Sequence, residues 1–164
     1  MSKLVPVKIK RLQVDAVIPQ YAHEGDAGFD LFTLEDTIIL AGETKVCKTG
    51  IAMAIPKGYE VQIRPRSGIS LNGVEVIFFP DDNHPVQRRA KCEVSVKLGT
   101  IDCKYRGDIG IIVKNESSEN IIIPKRTKLA QAVLNEVPQA KFEIVDELDE
   151  TDRGQNGFGS TGVR

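Results

Sequence analysis

A chain of 164 residues with 22 basic and 23 acidic side chains carries a formal net charge of −1 and is 41% hydrophobic. That is the size of one domain with a real core, and the even charge balance excludes the basic excess of a duplex nucleic-acid binder. Cys47, Cys92 and Cys103 form no CxxC, and His23 and His84 stand alone, so there is no zinc signature. Three unpaired cysteines suit a reducing compartment. The stretch Met1-Ser2-Lys3-Leu4-Val5-Pro6-Val7 has no long apolar run, so neither a signal peptide nor a membrane span is expected, and the expected location is cytoplasmic.

Val5, Val7 and Ile9 alternate with Pro6, Lys8 and Lys10, the period of a half-buried strand, and Pro6 argues for an edge. Residues 20–28 are polar and read as a loop ending in Asp26-Ala27-Gly28-Phe29-Asp30-Leu31. Strands are expected at 37–40, 45–48 and 51–55, around the turns Ala41-Gly42-Glu43 and Thr49-Gly50, with Pro56-Lys57-Gly58 as the next turn. Tyr59, Val61 and Ile63 alternate with Glu60, Gln62 and Arg64 in a further strand, which stops at Pro65-Arg66-Ser67-Gly68. Residues 74–79 are apolar and lead into the polar loop Pro80-Asp81-Asp82-Asn83-His84-Pro85. Cys92, Val94 and Val96 alternate with Glu93 and Ser95, as in one strand. Residues 99–107 are turn-rich, and 109–113, 121–123 and 129–134 complete the set. Many short strands separated by turn signals indicate an all-β sandwich or barrel.

The chain divides into a barrel domain over 1–145 and, over 146–164, an acidic linker followed by a terminal arm. The arm, Arg153-Gly154-Gln155-Asn156-Gly157-Phe158-Gly159-Ser160-Thr161-Gly162, has no hydrophobic periodicity. Its glycines let backbone N–H groups surround an anion, Arg153 adds a planar fork of donors, and Phe158 offers a face on which a base can stack. A frayed glycine-rich terminus would look the same.

Three glycine-containing polar segments interrupt the β pattern: Ala27-Gly28-Phe29-Asp30-Leu31, Pro65-Arg66-Ser67-Gly68, and Gly99-Thr100-Ile101-Asp102-Cys103-Lys104-Tyr105-Arg106-Gly107. A fourth feature is Gln131, an amide inside the apolar strand Leu129-Ala130-Gln131-Ala132-Val133. Each has an ordinary reading: Asp30 as a turn cap, Arg66 as a surface ion pair, Ser67 as the N-cap of a short helix, Gln131 on the solvated face of an edge strand, and Tyr105 as core. Together they supply phosphate donors in Arg66, Ser67, Gln131 and Arg153. They also supply a hard oxygen in Asp30 suited to Mg²⁺, direct or through water, and a general base in Asp102. That inventory fits metal-assisted attack on a nucleoside triphosphate.

In order and spacing, these four features and the arm resemble the five motifs of the trimeric dUTP diphosphatase (dUTPase) family. The resemblance implies a jelly-roll-like β-barrel, a homotrimer whose sites are shared among subunits, and Mg²⁺-dependent hydrolysis of dUTP to dUMP and pyrophosphate. It implies that Asp102 activates the water attacking the α-phosphorus. Gly99, Thr100 and Ile101 would read the uracil edge with backbone groups, and Tyr105 would lie under the deoxyribose. Arg66, Ser67, Gly68 and Gln131 would hold phosphates, and Asp30 the metal through water. Arg153 would hold the γ-phosphate, Phe158 would cover the base, and Gly159, Ser160 and Thr161 would add phosphate contacts.

The chain departs from the pattern in two places. The fourth motif usually reads Gly-acidic-Arg before its Ile-Ala-Gln step, where this chain has Arg126-Thr127-Lys128-Leu129-Ala130-Gln131. Residues 71–96 hold a longer hairpin than is usual. It is expected either to pack on its own trimer or, through Phe78-Phe79 beside Arg88-Arg89, to present a surface over 71–91 to a protein partner. Two rival functions follow from the same residues: a nucleotide-sensing interaction protein that uses dUTP binding to present that hairpin or the arm, and a dCTP deaminase of the same superfamily.

Overall fold

The computed structural model describes residues 4–80 and 86–156. Phe158, Gly159, Ser160 and Thr161, with most of the terminal arm, lie outside the described residues. Within them the chain forms thirteen strands and one helix. The strands are β1 (Lys8–Arg11), β2 (Phe29–Phe32), β3 (Thr37–Ile39), β4 (Thr44–Lys48), β5 (Ile51–Ala54), β6 (Tyr59–Arg64), β7 (Val74–Phe78), β8 (Arg88–Cys92), β9 (Val94–Val96), β10 (Gly99–Ile101), β11 (Gly110–Asn115), β12 (Ile121–Ile123) and β13 (Lys128–Glu136). The helix α1 spans Ser67–Asn72. All strand pairs are antiparallel, in sheets of order β1-β5, β10-β6-β13-β2, β4-β11-β9 and β3-β12-β7-β8. This is the all-β, jelly-roll-like barrel expected. No helix among the described residues is long and apolar enough to cross a membrane.

Alternation drives the packing. Val61 and Ile63 on β6, Ile111 and Val113 on β11, Ile121 and Ile123 on β12 and Val76 on β7 turn inward and are essentially fully buried, with Leu31, Ile39, Ile109 and Leu129 beside them. Asn115 is a buried polar knot in this core. Its Nδ2 donates to the carbonyls of Ile39, Leu40 and Glu119, and its Oδ1 accepts from Ser117 N and Oγ. The amide thereby satisfies backbone groups where three strands end.

Several expectations are corrected. The N-terminal strand is Lys8–Arg11, exposed throughout; it does sit at an edge, but only Val5 and Val7 before it are partly covered. Phe29–Phe32 is a strand although its residues read as a loop end, because it pairs with β13. The alternation Cys92, Val94, Val96 is split at Glu93 between two sheets. Ser67 does not cap α1: the N-cap is Arg66, without a side-chain cap bond, and Ser67 is the first helical residue. Gln131 is not on an edge strand, because β13 is bonded on both sides. Tyr105 is exposed, at 43%, and is not core.

The long hairpin is β7–β8, in register from Val74↔Cys92 to Phe78↔Arg88, and β7 also pairs with β12. Phe78 is buried, the Arg88 guanidinium lies 4.0 Å over its ring, and Arg88 pairs with Glu119. Two of the four residues expected to attract a partner are therefore engaged within the chain.

The altered fourth motif keeps its turn. Arg126 stands in the left-handed region at φ 61, the one non-glycine residue with positive φ among those described, at the position where glycine is usual. Its N–H donates to Thr33 O, and Thr127 Oγ1 donates to Pro124 O at 2.6 Å. A left-handed L-residue costs roughly 1–2 kcal/mol, partly offset by the entropy a glycine would lose. Arg126→Gly should therefore be neutral to about 1 kcal/mol stabilising, read as an unchanged or raised Tm.

All three cysteines are free. Burial pushes the Cys47 thiol up to about 11 and raises that of Cys92. Since the thiolate is the reactive form, Cys47 and Cys92 should resist a thiol reagent at pH 8 in the native protein and react on unfolding, as a titration with and without denaturant would show.

Candidate functional site

The sheet β10-β6-β13-β2 carries the first four motif segments. Gln131 on β13 lies opposite Asp30 on β2 and Arg64 on β6, and β6 runs directly into Pro65 and Arg66. These contacts line a cleft of about 240 Å³ bounded by Gly28, Asp30, Arg66, Ser67, Gly68 and Gln131. Five of the expected residues thus line one cleft, and α1 starts at its rim.

Asp30 is the electrostatic centre of this cleft. Its Oδ1 lies 2.9 Å from Arg66 Nε and its Oδ2 2.9 Å from Lys128 Nζ, with the carboxylate only 15% exposed. Lys128, which departs from the arginine usual in the fourth motif, ion-pairs with Asp30 all the same. Arg66 also donates to Lys128 O at 3.3 Å, so both cations are held at the cleft wall. Gln131 Nε2 donates to Pro65 O at 2.9 Å, which fixes the amide while its oxygen faces Gly28. A methyl at Gly28 would lie 2.9 Å from that oxygen and 3.3 Å from Ala132 O. Two oriented cations, an amide and the exposed Ser67 and Gly68 at a chain turn are a donor set for phosphate oxygens.

The donor set also limits a metal. No group of three His, Cys, Asp or Glu side chains converges among the described residues, and both Asp30 oxygens already take a cation. Among the described residues no all-protein cage is present. A lone carboxylate among anion donors would suit Mg²⁺ held largely by water and an anionic ligand, which is how this ion is usually bound.

Asp102 lies elsewhere. β10 pairs with β6 through Gly99↔Ile63, Thr100↔Gln62 and Ile101↔Val61, so the strand leaves the sheet beside the start of β6, whereas Arg66 follows its end. From Val61 to Arg64 is roughly 10 Å along a strand at about 3.3 Å per residue, and the two sets diverge beyond those residues. Asp102 borders a separate cleft of about 930 Å³ with Lys57, Tyr59, Glu60, Lys104 and Arg106. Its Oδ1 accepts from Lys104 N at 2.7 Å and Tyr105 N at 3.2 Å. These amides fix the carboxylate and leave Oδ2 as the oxygen open to a water.

The turn after Asp102 is internally braced. Arg106 Nη1 donates to the carbonyls of Cys103 and Tyr105, and Tyr105 Oη donates to Asp108 O at 2.9 Å. Arg153 makes a local bond, from Nε to Asn156 O at 2.7 Å, and among the described residues is not hydrogen-bonded to the other expected site residues. Lys128, Gly28, Arg106 and Asp108 were not assigned a site role from sequence. The charge at 128 and the glycine at 28 sit inside recognisable motifs, but their roles depend on cross-strand neighbours that no local pattern reveals.

The dUTPase family model matches residues 15–81 and 88–162, so only 82–87, between β7 and β8, break the match. The deoxyuridine 5'-triphosphate nucleotidohydrolase of Clostridium tetani is 45% identical over 157 residues, covering 95% of this chain and 96% of that protein. The enzyme of the same name from Helicobacter hepaticus is 44% identical over 164 residues, covering 99% and 92%. Among solved structures, the Staphylococcus bacteriophage 80alpha dUTPase with dUpNHpp superposes with a TM-score of 0.79 at 26% identity, covering 96% of this chain and 99% of that one. The chain belongs to the dUTPase family.

Overpacking against strand backbone costs about 1–3 kcal/mol. Gly28→Ala should therefore lower the Tm, with a loss in this range by urea denaturation.

Proposed function

We propose that the protein is a dUTP diphosphatase: it hydrolyses dUTP to dUMP and pyrophosphate, thereby removing dUTP and supplying dUMP for dTMP synthesis. Full-length similarity to enzymes of that name supports the activity. The observation that carries the chemistry is the asymmetric Asp102 carboxylate, tethered through Oδ1 and open through Oδ2.

In this reading Asp102 Oδ2 accepts a proton from the water that attacks the α-phosphorus. Gly99, Thr100 and Ile101 present backbone groups to the uracil edge, where a mismatched donor or acceptor would be left unpaired. Tyr105 supports the deoxyribose. Arg66, Ser67, Gly68 and Gln131 hold the phosphate chain and stabilise charge building on the leaving pyrophosphate. Asp30 would help hold Mg²⁺ through water, and the ion would supply further charge neutralisation on the phosphates. Arg153 and, beyond the described residues, Phe158, Gly159, Ser160 and Thr161 close over the γ-phosphate and the base and exclude water.

The separation of the two clefts supports the homotrimer with shared sites that the family resemblance implies. One chain places Asp102 and the phosphate donors near opposite ends of β6, so a complete site takes its parts from neighbouring copies. The segment after β13 supports this: Phe142, Ile144 and Leu148 are 91%, 100% and 84% exposed, a run of apolar residues suited to cover by another subunit. The three free cysteines support a reducing, cytoplasmic setting.

Pyrophosphate release from dUTP, dCTP, dTTP and UTP, with Mg²⁺ and then with EDTA, tests the reading. Fast metal-dependent release from dUTP alone is expected. Binding without release would instead make the protein a nucleotide sensor, and ammonia release from dCTP would make it a deaminase. Asp102→Asn should lower kcat by at least about a hundredfold while dUTP still binds, and a near-normal rate would remove Asp102 as the base. Truncation before Arg153 should leave the assembly folded and nearly inactive; a wild-type rate would refute the closing arm.

A further inference from the structure

We propose that Asp108 is a positioning residue that sets the height of the Tyr105 ring and thereby the discrimination between deoxyribose and ribose triphosphates. The inference rests on the diphosphatase reading and adds to it a residue outside the motif positions that touch substrate.

Asp108 is bonded in two directions. Its backbone carbonyl accepts from Tyr105 Oη at 2.9 Å. Its side-chain Oδ1 accepts from Gly50 N at 2.9 Å and Thr49 N at 3.3 Å, in the turn between β4 and β5. That turn is a stiff mount. Thr49 is 1% exposed and its Oγ1 donates to Ile109 O at 2.6 Å. Gly50 has φ 71, and a Cβ there would lie 2.9 Å from Leu34 and 3.0 Å from Ala16. Ile109 N closes the clamp by donating to Ile51 O at 2.8 Å. A carboxylate accepting from two backbone amides is a charge-assisted anchor, so the chain leaving the 102–107 turn is pinned to the barrel wall one residue after Gly107.

Tyr105 needs such a pin. Its ring is 43% exposed and has little side-chain packing to hold it. Its outer end packs against Gly107: a methyl at that position would overlap the ring's Oη and sit 2.6 Å from Cζ. The ring therefore rests on the glycine backbone, and its outer end is tied to the residue that is itself tied to the core. If the Asp108 anchor loosens, Tyr105 recedes and space opens beneath the sugar for a 2′-hydroxyl. Exclusion of a single hydroxyl depends on displacements of this kind, since misplacement by about 1 Å changes rates severely.

The test compares kcat/KM for dUTP and UTP, with Tm, in the wild-type trimer and in Asp108→Ala, Asp108→Asn and Tyr105→Phe. Asp108→Ala should raise UTP turnover relative to dUTP by about fivefold or more, the scale of one hydrogen bond. Asp108→Asn, which keeps an Oδ1 acceptor, should restore most of the selectivity. Tyr105→Phe removes the other link without touching the core and should relax selectivity in the same direction. A merely structural role would lower Tm and both rates together and leave the ratio unchanged. A dUTP:UTP ratio within twofold of wild type in Asp108→Ala, or in Tyr105→Phe should Asp108→Ala fail to fold, overturns the proposal. Failure of the wild-type protein to release pyrophosphate from dUTP would instead remove the diphosphatase reading on which it rests.

Discussion

The register of β13 is the constraint on which the rest of the site depends. This nine-residue strand is hydrogen-bonded to β6 on one side and to β2 on the other. Gln131 therefore lies across from Arg64 and Asp30 at once, and Lys128 comes within reach of the Asp30 carboxylate. A slip of one residue on either side would turn Gln131 and its neighbours to the opposite face and dissolve the cleft. The irregularity between Lys128 and Ala130 lets the strand serve both needs: Leu129 stays fully buried while the flanking polar residues reach the carboxylate. The backbone pairing brings residue 128 beside Asp30, and there the lysine makes its 2.9 Å ion pair.

The fold class was legible because its signal is local. Alternation at Tyr59-Glu60-Val61-Gln62-Ile63-Arg64 and the glycine and proline turns around it read directly as strand and punctuation. The errors fell where partners decide. Phe29-Asp30-Leu31-Phe32 carries no clean alternation and became a strand by lying beside β13. The stretch from Cys92 to Val96 alternates cleanly yet serves two sheets, because the chain turns a corner at Glu93 that periodicity cannot register. Ser67 looked like a helix cap from residue type alone, but the chain enters α1 one residue earlier.

The site was legible as an inventory and not as a layout. Asp30, Arg66, Ser67, Gly68 and Gln131 could be named from motifs, and they do meet. Asp102 could be named equally well, yet it borders a different cleft, and nothing in linear order shows that β10 runs antiparallel to β6 and so carries Asp102 towards the start of that strand, away from the phosphate donors at its end. Arg153 likewise could be named but, among the described residues, bonds within its own turn. Residues that brace others, such as Arg106 across two carbonyls and Asn115 across three strand ends, carry no chemical signature of their own. Their roles appear only when backbone acceptors are counted in space.

Arg126 bears on what a motif is. At the turn into β13 the backbone bends through the left-handed region, and here an arginine occupies the bend that glycine makes easily. The turn is held from outside, by Thr33 accepting the amide and by the hydroxyls of Thr33 and Thr127 converging on Pro124 O. What the bend requires is therefore a dihedral angle, which the hydrogen bonds around it impose on an arginine. A search by residue type alone would pass over this turn, whereas its torsion and its converging hydroxyls mark it plainly.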